Sequence, residues 1–398
     1  MVTWRTLIRT RPAYRRLWVA RTVSQVGDIA QFTTLALLVF ALTGSGLGIS
    51  TLVVVEVLPV LLLAPLAGAL ADRYPRVRVM VAADVLRLAL AVTLALAHDH
   101  VVVVYALAAA MSAGNALFNP AAQSLLPALV DDEELVTANS GIWTAAVSCQ
   151  VLLAPLAALL ATTAGFGAAF AVNAASFALS AGVLRGLRPV GASRPISAPS
   201  LLGHAGEGLR ALAASPVLRA LALTQLLAAL SAGATSALLV VLAAQRLHAG
   251  GSGFGVLLGA IAVGAVAGPQ LLRRVSDPRR PALVFGPFAL RGLVDLVLAT
   301  VTALPAAAVA LVAYGVGTST GNVTFASLVQ TRVPEQLRAR AFAGLDVLWQ
   351  AGRLTSLLVG GALADALGIR VVYLLGGSLL LAAAGLGAML TRPTTVPA

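Results

Sequence analysis

The chain has 398 residues, of which 59% are hydrophobic and 11% are charged, and its mean hydropathy is +0.93. Soluble domains carry about 25% charged residues, so this composition excludes an ordinary soluble domain and indicates an integral membrane protein. The net charge of +12 comes from 27 basic residues that are all arginine. We assign this charge to membrane topology and to anionic lipid head groups rather than to nucleic acid. Cys149 is the single cysteine, so an intrachain disulfide is impossible.

Apolar runs divide the chain into twelve predicted transmembrane segments, each near or above the ~20 residues that cross a bilayer. Segments 1 to 6 are Leu17–Leu42, Leu47–Ala71, Val79–Ala97, Val101–Leu126, Val136–Thr162 and Phe166–Leu187. Segments 7 to 12 are Val217–Ala244, Phe254–Leu272, Ala282–Ala303, Ala306–Val329, Arg338–Leu367 and Val371–Leu390. A polar, proline-containing stretch separates the two sets. It predicts an amino-terminal bundle at 1–188, a cytoplasmic linker at 189–215 and a carboxy-terminal bundle at 216–398.

The arginines indicate the orientation of these segments. Twenty-one of them fall in the tails and loops of one side, whereas Arg246 and Arg370 fall on the other. Because arginine-rich loops stay in the cytoplasm, we predict a multi-pass protein of the inner (plasma) membrane with both termini in the cytoplasm. The first apolar run is longer than a signal-peptide core and is not followed by a small-residue cleavage site, so we expect it to be retained.

The two halves of the chain repeat. The glycine motif Gly44–Gly48 recurs as Gly251–Gly255, 207 residues later. Three further pairs stand at nearly the same spacing: Arg87 with Arg291, Pro127 with Pro334, and Trp143 with Trp349. Four anchors at a nearly constant offset predict two pseudo-symmetric six-helix bundles.

The stretch Gly68–Arg78, with the letters GALADRYPRVR, joins segments 2 and 3. It resembles the signature loop between helices 2 and 3 of the major facilitator superfamily, with Pro75 where the family has a turn glycine. The stretches Arg15–Trp18, Gly27–Asp28 and Ala83–Arg87 further resemble the branch that includes enterobactin and macrolide exporters. The resemblance implies an all-α fold of twelve helices in two bundles, and a secondary exporter that works by alternating access.

Ionisable side chains within the bilayer are costly, which makes them functional candidates. Asp28 lies near the middle of segment 1, with Gln25 and Gln31 one turn to either side on the same face. We predict that Asp28 couples proton and substrate movement, with a structural, hydrogen-bonded acid as the alternative. By the resemblance, Glu56 of segment 2 and Arg353 of segment 11 pair across the two halves in one state of the cycle, with two separate local pairings as the alternative.

Asp84 with Arg87, and Arg291 with Asp295, have the spacing of pairs on one helix face, and we interpret both as self-paired structural charges. The resemblance places helices 1, 4, 7 and 10 along the substrate cavity. Amides on these helices are predicted to line that cavity, with interhelical hydrogen bonds as an equal alternative. They are Gln25, Gln31, Asn115, Gln225 and Asn322.

The signature loop is predicted to act as a conformational latch. A carboxylate near the amino end of a helix is favoured by the helix dipole, and the resemblance docks Asp72 at the start of helix 11. Gly68 would allow the helices to approach closely, and Arg73 and Arg76 would complete the charge network. The alternative is a turn that serves topology alone.

These observations predict a monomeric, proton-coupled antiporter that exports small lipophilic or amphipathic molecules, such as drugs or secondary metabolites. We expect no metal and no cofactor. The chain has no lysine for a Walker motif and no HExxH motif, and its four histidines fall in loops. Three alternatives stay open: an uptake symporter or uniporter on the same fold, an intramembrane enzyme, and a non-transporting receptor or scaffold. Segment 4 lacks the arginine common in proton antiporters, which leaves the coupling residues open.

Overall fold

The computed structural model describes residues 4–187, 216–272, 281–332 and 335–390, and these ranges contain fourteen α-helices. Helices α1 to α7 are Trp4–Thr10, Pro12–Thr43, Gly46–Arg73, Arg76–Leu96, Val101–Leu125, Leu135–Thr163 and Phe166–Arg185. Helices α8 to α14 are Pro216–Ala237, Leu239–Gln245, Gly250–Leu272, Pro281–Leu298, Leu304–Arg332, Glu335–Leu367 and Ile369–Leu390. Two 3-10 turns, Leu126–Ala128 and Asp132–Glu134, lie between α5 and α6.

The helices follow the predicted segments apart from shifts at their ends, such as α11 ending at Leu298 instead of Ala303, and there are two larger differences. The structure divides segment 7 at Leu238 into α8 and α9, and the amino-terminal tail forms the additional helix α1. In the described part of the chain, ten helices are long and apolar enough to cross a membrane, and α11 and α13 are not among these ten. The chain is therefore a multi-pass helical membrane protein, while the count of twelve crossings stays a prediction. The predicted linker at 189–215 lies outside the described residues.

The internal contacts divide the chain into two compact units. The first unit comprises Met1–Gly44 and Leu52–Ala198, and the second comprises Ser45–Thr51 and Pro199–Ala398. In the first unit α2 packs against α6 and α7, and α4 packs against α5 and α7. In the second unit α8 packs against α13 and α14, and α11 packs against α12 and α14. Corresponding helices of the two units thus have corresponding neighbours.

Each unit has an apolar core of its own. The core of the first unit includes Tyr14, Met80 and Phe118, and that of the second includes Phe285 and Val329, all of them buried. Many large apolar side chains instead point outward, which suits helices that are solvated by lipid. Among these are Leu62, Leu96, Val102, Val309 and Met389.

Helices α10 and α12 are in backbone contact. A Cβ atom at Gly264 of α10 would overlap the carbonyl oxygen of Val312, and one at Gly315 of α12 would overlap that of Ile261. Small residues at such positions let membrane helices approach closely and gain van der Waals contact. The two glycines therefore fix the separation of this helix pair.

The amino end of α3 is capped by an acid from another helix of the second unit. Asp365, near the end of α13, accepts hydrogen bonds from the backbone N–H groups of Gly46 and Leu47, at 2.5 and 3.0 Å. It also accepts one from the Ser45 hydroxyl at 2.5 Å. A helix start leaves backbone donors without partners, and a carboxylate satisfies them while meeting the positive end of the dipole.

Candidate functional site

A buried group of three charges lies in the first unit, and we name Asp28, Asp84 and Arg87 the Arg87 cluster. Arg87 and Asp84 lie one turn apart on α4, and the Arg87 Nη2 donates to Asp84 Oδ1 at 2.5 Å. The Nη1 atom donates to Asp28 Oδ1 on α2 at 3.3 Å. The predicted Asp84–Arg87 pair is therefore present, but it is not self-contained, because its guanidinium also binds the acid that the sequence singled out.

Packing holds the Arg87 guanidinium in place. It lies 4.8 Å from the ring centre of Phe118 and 4.3 Å from that of Phe177, within the range of cation–π attraction. A Cβ atom at Gly114 would lie only 2.7 Å from Arg87 Cγ, so the glycine makes room for the arginine stem. Ser180 donates to the second oxygen of Asp84 at 2.6 Å.

The two acids of the Arg87 cluster differ in exposure. Asp84 and Arg87 are 0% and 1% exposed, whereas Asp28 is 29% exposed. Two carboxylates share one guanidinium, so the cluster carries a net negative charge when both acids are ionised and is neutral when one holds a proton. Asp28 is the member with access to the surroundings, which makes it the acid best placed to exchange that proton.

The predicted polar stripe on α2 separates into two environments. Gln31 is buried, and its side-chain oxygen accepts a hydrogen bond from Asn173 of α7 at 2.9 Å. Gln25 instead lines a cavity. Gln31 thus has the interhelical bond that the sequence left open as an alternative, while Gln25 faces open space.

The first unit contains a cavity of about 560 Å³, which we name the first cavity. It lies between the amino-terminal half of α2, the end of α5 and the first half of α6. Its described lining combines one arginine and three amides with an indole and aliphatic side chains. The lining residues are Arg21, Thr22, Gln25, Gln123, Leu126, Pro127, Leu135, Asn139, Ile142, Trp143 and Ala146.

The second unit has its own buried charges. Arg291 of α11 donates to the Tyr314 hydroxyl at 3.0 Å and lies 4.8 Å from the centre of that ring. Asp295 is 1% exposed. Arg291 and Asp295 attract each other electrostatically, but within residues 281–332 the structure describes no hydrogen bond or close ion pair between them, so the predicted pairing is supported only in part. Gly317 lies beside the Arg291 stem, as Gly114 lies beside Arg87.

A cavity of about 350 Å³, the second cavity, lies between α8, α11, α12 and α13. It brings together the two predicted amides Gln225 and Asn322 with Arg291 and Asp346. Trp349 lies on its wall, in the position that Trp143 holds in the first cavity. The tryptophans that anchor the sequence repeat therefore line equivalent cavities.

The remaining predicted residues are dispersed. Asn115 accepts a hydrogen bond from Asn119 on the same helix at 3.0 Å. Glu56 is partly buried on α3 and Arg353 is partly buried on α13. In the signature loop Arg73 is exposed and Arg76 is buried. The surroundings of the other two latch residues, Gly68 and Asp72, are not described.

Sequence reasoning missed an ion-pair group at one end of the first unit. Arg11, between α1 and α2, pairs with Asp131 and Glu134 of the connection between α5 and α6. These carboxylates raise the pKa of Arg11 further above its ordinary value. The acidic run itself was a visible signal, but its partner lies more than one hundred residues away.

Comparison with known proteins identifies the chain. A family model described as "Transmembrane secretion effector", MFS_3, matches residues 4–396. A Bacillus subtilis protein described as an uncharacterized MFS-type transporter, YfiS, is 27% identical over 392 residues, which cover 94% of this chain and 92% of that protein. A lysophospholipid transporter, LplT, of Photorhabdus laumondii is 38% identical over 99 residues, which cover 25% of this chain and 24% of that protein.

Solved structures agree on the fold. A bacterial homologue of the iron transporter ferroportin, in an inward-facing state, has a TM-score of 0.74 at 17% identity, covering 96% of this chain and 99% of that one. The nucleoside transporter NupG has a TM-score of 0.74 at 13% identity, covering 96% and 100%.

Proposed function

Because this chain belongs to the MFS_3 family of the major facilitator superfamily and is thus a membrane transporter for small molecules, we propose that it is a secondary active exporter driven by proton antiport. Its substrates are lipophilic or amphipathic compounds such as drugs or secondary metabolites, in line with the resemblance to enterobactin and macrolide exporters. It acts as a monomer in the cell membrane, by alternating access between two six-helix bundles, with both termini in the cytoplasm.

The Arg87 cluster carries this proposal. An antiporter needs an acid that binds a proton in one state and loses it in another. Because two carboxylates bind one guanidinium, either acid can be protonated while Arg87 keeps the other as its partner. Proton binding to Asp28 weakens the ion pair between Asp28 and Arg87. Because this ion pair joins α2 to α4, protonation changes the positions of both helices. Asp84, fully buried and also bound to Ser180, stays with Arg87 throughout.

Two further elements belong to the same cycle. Glu56 and Arg353 form a charge pair in one state and separate in the other. The latch of Gly68, Asp72, Arg73 and Arg76 stabilises the outward-facing state. If the double exchange Glu56→Arg with Arg353→Glu restores none of the transport lost in the single variants, the pairing is wrong.

Antibiotic susceptibility tests the role of Asp28. Cells that lack their main efflux pumps express the wild type, Asp28→Asn or the matched control Asp99→Asn, whose acid is exposed in the loop after α4. A panel of lipophilic antibiotics should be tolerated better with the wild type and with Asp99→Asn than with Asp28→Asn. An Asp28→Asn profile equal to that of the wild type would remove Asp28 from the mechanism.

Inverted membrane vesicles test the direction and the coupling. Export predicts that acidified inverted vesicles accumulate the antibiotic found by the panel and release protons as they do so. Accumulation by intact cells instead would favour the uptake symporter, and accumulation that ignores the proton gradient would favour the uniporter.

A further inference from the structure

We propose that the first cavity binds the anionic group of an amphipathic substrate, with the Arg21 guanidinium as the counter-charge. This inference rests on the proposed transport function and narrows its substrate class to molecules with a carboxylate or phosphate head and an apolar body.

The charges of the first unit leave Arg21 available. Among the described residues, Arg11 binds both Asp131 and Glu134, and Arg87 binds both Asp28 and Asp84. Arg21 belongs to neither group. Its side chain is partly buried and lines the first cavity, whose described lining contains no acid. A cation without a counter-charge is costly within a membrane protein. A negative group that enters this cavity is therefore attracted to Arg21, since no described acid in the lining neutralises its charge.

The neighbours of Arg21 are hydrogen-bonding groups that suit an anion. Gln25 lies one turn further along α2 on the same face, so its amide and the guanidinium open into the same space. Asn139 of α6 and Gln123 of α5 approach from the other walls. The planar guanidinium fork matches carboxylate and phosphate oxygens in pairs, which a lysine ammonium does not.

The other half of the lining is apolar and suits the body of the ligand. Trp143 is 55% exposed and stands on the same face of α6 as Asn139, one turn away. Leu126, Leu135 and Ile142 extend this wall. The volume of about 560 Å³ falls within the ~300–1,000 Å³ of small-molecule sites, so a head group and a short apolar body fit together.

The second cavity does not have a net positive lining. Its described lining includes both Arg291 and Asp346, and Arg291 already donates to Tyr314. A net positive lining is therefore a property of the first cavity, among the residues that the structure describes.

Quenching of tryptophan fluorescence tests the proposal without transport. The purified full-length chain is placed in phosphatidylcholine nanodiscs and titrated with dodecyl phosphate or dodecyltrimethylammonium, each with a brominated chain that quenches tryptophan on contact. Dodecyl phosphate should bind and quench, and Trp143→Phe should remove most of that signal. Equal affinity for the two probes would overturn the proposal.

Substitutions of Arg21 identify the counter-charge. Loss of a charge-assisted hydrogen bond predicts that Arg21→Gln binds dodecyl phosphate about 10–100-fold more weakly, with Arg21→Lys in between. Arg15→Gln, on the exposed side of the same helix, should bind like the wild type. An Arg21→Gln affinity equal to that of the wild type would overturn the proposal even if transport persists.

The anionic head can belong to a free compound or to a bilayer lipid. Discs made with phosphatidylglycerol distinguish the two: lipid occupancy predicts that they weaken dodecyl phosphate binding to the wild type but not to Arg21→Gln, whereas a free substrate predicts no such difference. Either result supports an anion at Arg21. Binding that depends on Arg21 without proton-driven flux would defeat the proposed exporter and leave this site intact.

Discussion

Replacing Arg87 by methionine is expected to lower the free energy of unfolding by about 3–5 kcal/mol, the usual loss when one partner of a buried ion pair is removed. The guanidinium lies 2.5 Å from Asp84 and 3.3 Å from Asp28, at 1% exposure. Methionine fills the space that the Arg87 stem occupies beside Gly114, but it removes the guanidinium that lies over Phe118 and Phe177. The expected loss therefore combines the negative charge that Asp84 would keep without a partner with the loss of the two cation–π contacts.

Unfolding in mixed micelles of SDS and a mild detergent, followed by circular dichroism, measures this loss. The double variant Arg87→Met, Asp84→Asn removes the stranded charge and should recover part of the loss, with a coupling energy of about 0.5–3 kcal/mol. Arg78→Met, exposed in the first turn of the same helix, should change stability by no more than about 0.5 kcal/mol. An Arg87→Met loss below about 1 kcal/mol, or simple additivity of the two changes, would refute the charge argument.

Three further substitutions are expected to destabilise the protein in the same unfolding assay. Tyr14→Phe removes the hydroxyl that donates to the Ala138 carbonyl at 2.9 Å and should cost about 1–3 kcal/mol, whereas the exposed Tyr74→Phe should be neutral. Gly315→Ala drives a methyl group into the backbone of α10 and should cost about 1–3 kcal/mol, whereas Gly286→Ala, with open space around it, should cost nothing. Asp365→Ala uncaps α3 and should cost about 0.5–2 kcal/mol. If a control loses as much as its partner, the contact named is not the cause.

The sequence predicted helices and candidate charges because both are local signals. An apolar run of bilayer length predicts a helix, and an acid such as Asp28 within that run is conspicuous. The i,i+3 spacing of Asp84 and Arg87 likewise predicts a contact on one helix. These signals need only the helical repeat, and the described helices follow them.

Contacts between distant helices were not predictable in the same way. Asp28 meets Arg87 only because α2 and α4 both pack against α7, and this depends on tertiary packing rather than on spacing. The first cavity was not predictable for a similar reason, since its lining is drawn from three helices and the turn after α5. The cap formed by Asp365 was not predictable from the sequence, because the backbone donors that it binds belong to a distant helix.

The glycine contact between α10 and α12 has a mechanical consequence. No side chain of Gly264 or Gly315 lies between the two backbones. At this contact no side chain can change its rotamer to let one helix slide along the other. We therefore expect α10 and α12 to move together as one rigid body during any conformational change. Spin labels on these two helices should keep a constant separation under every condition that changes distances elsewhere in the protein.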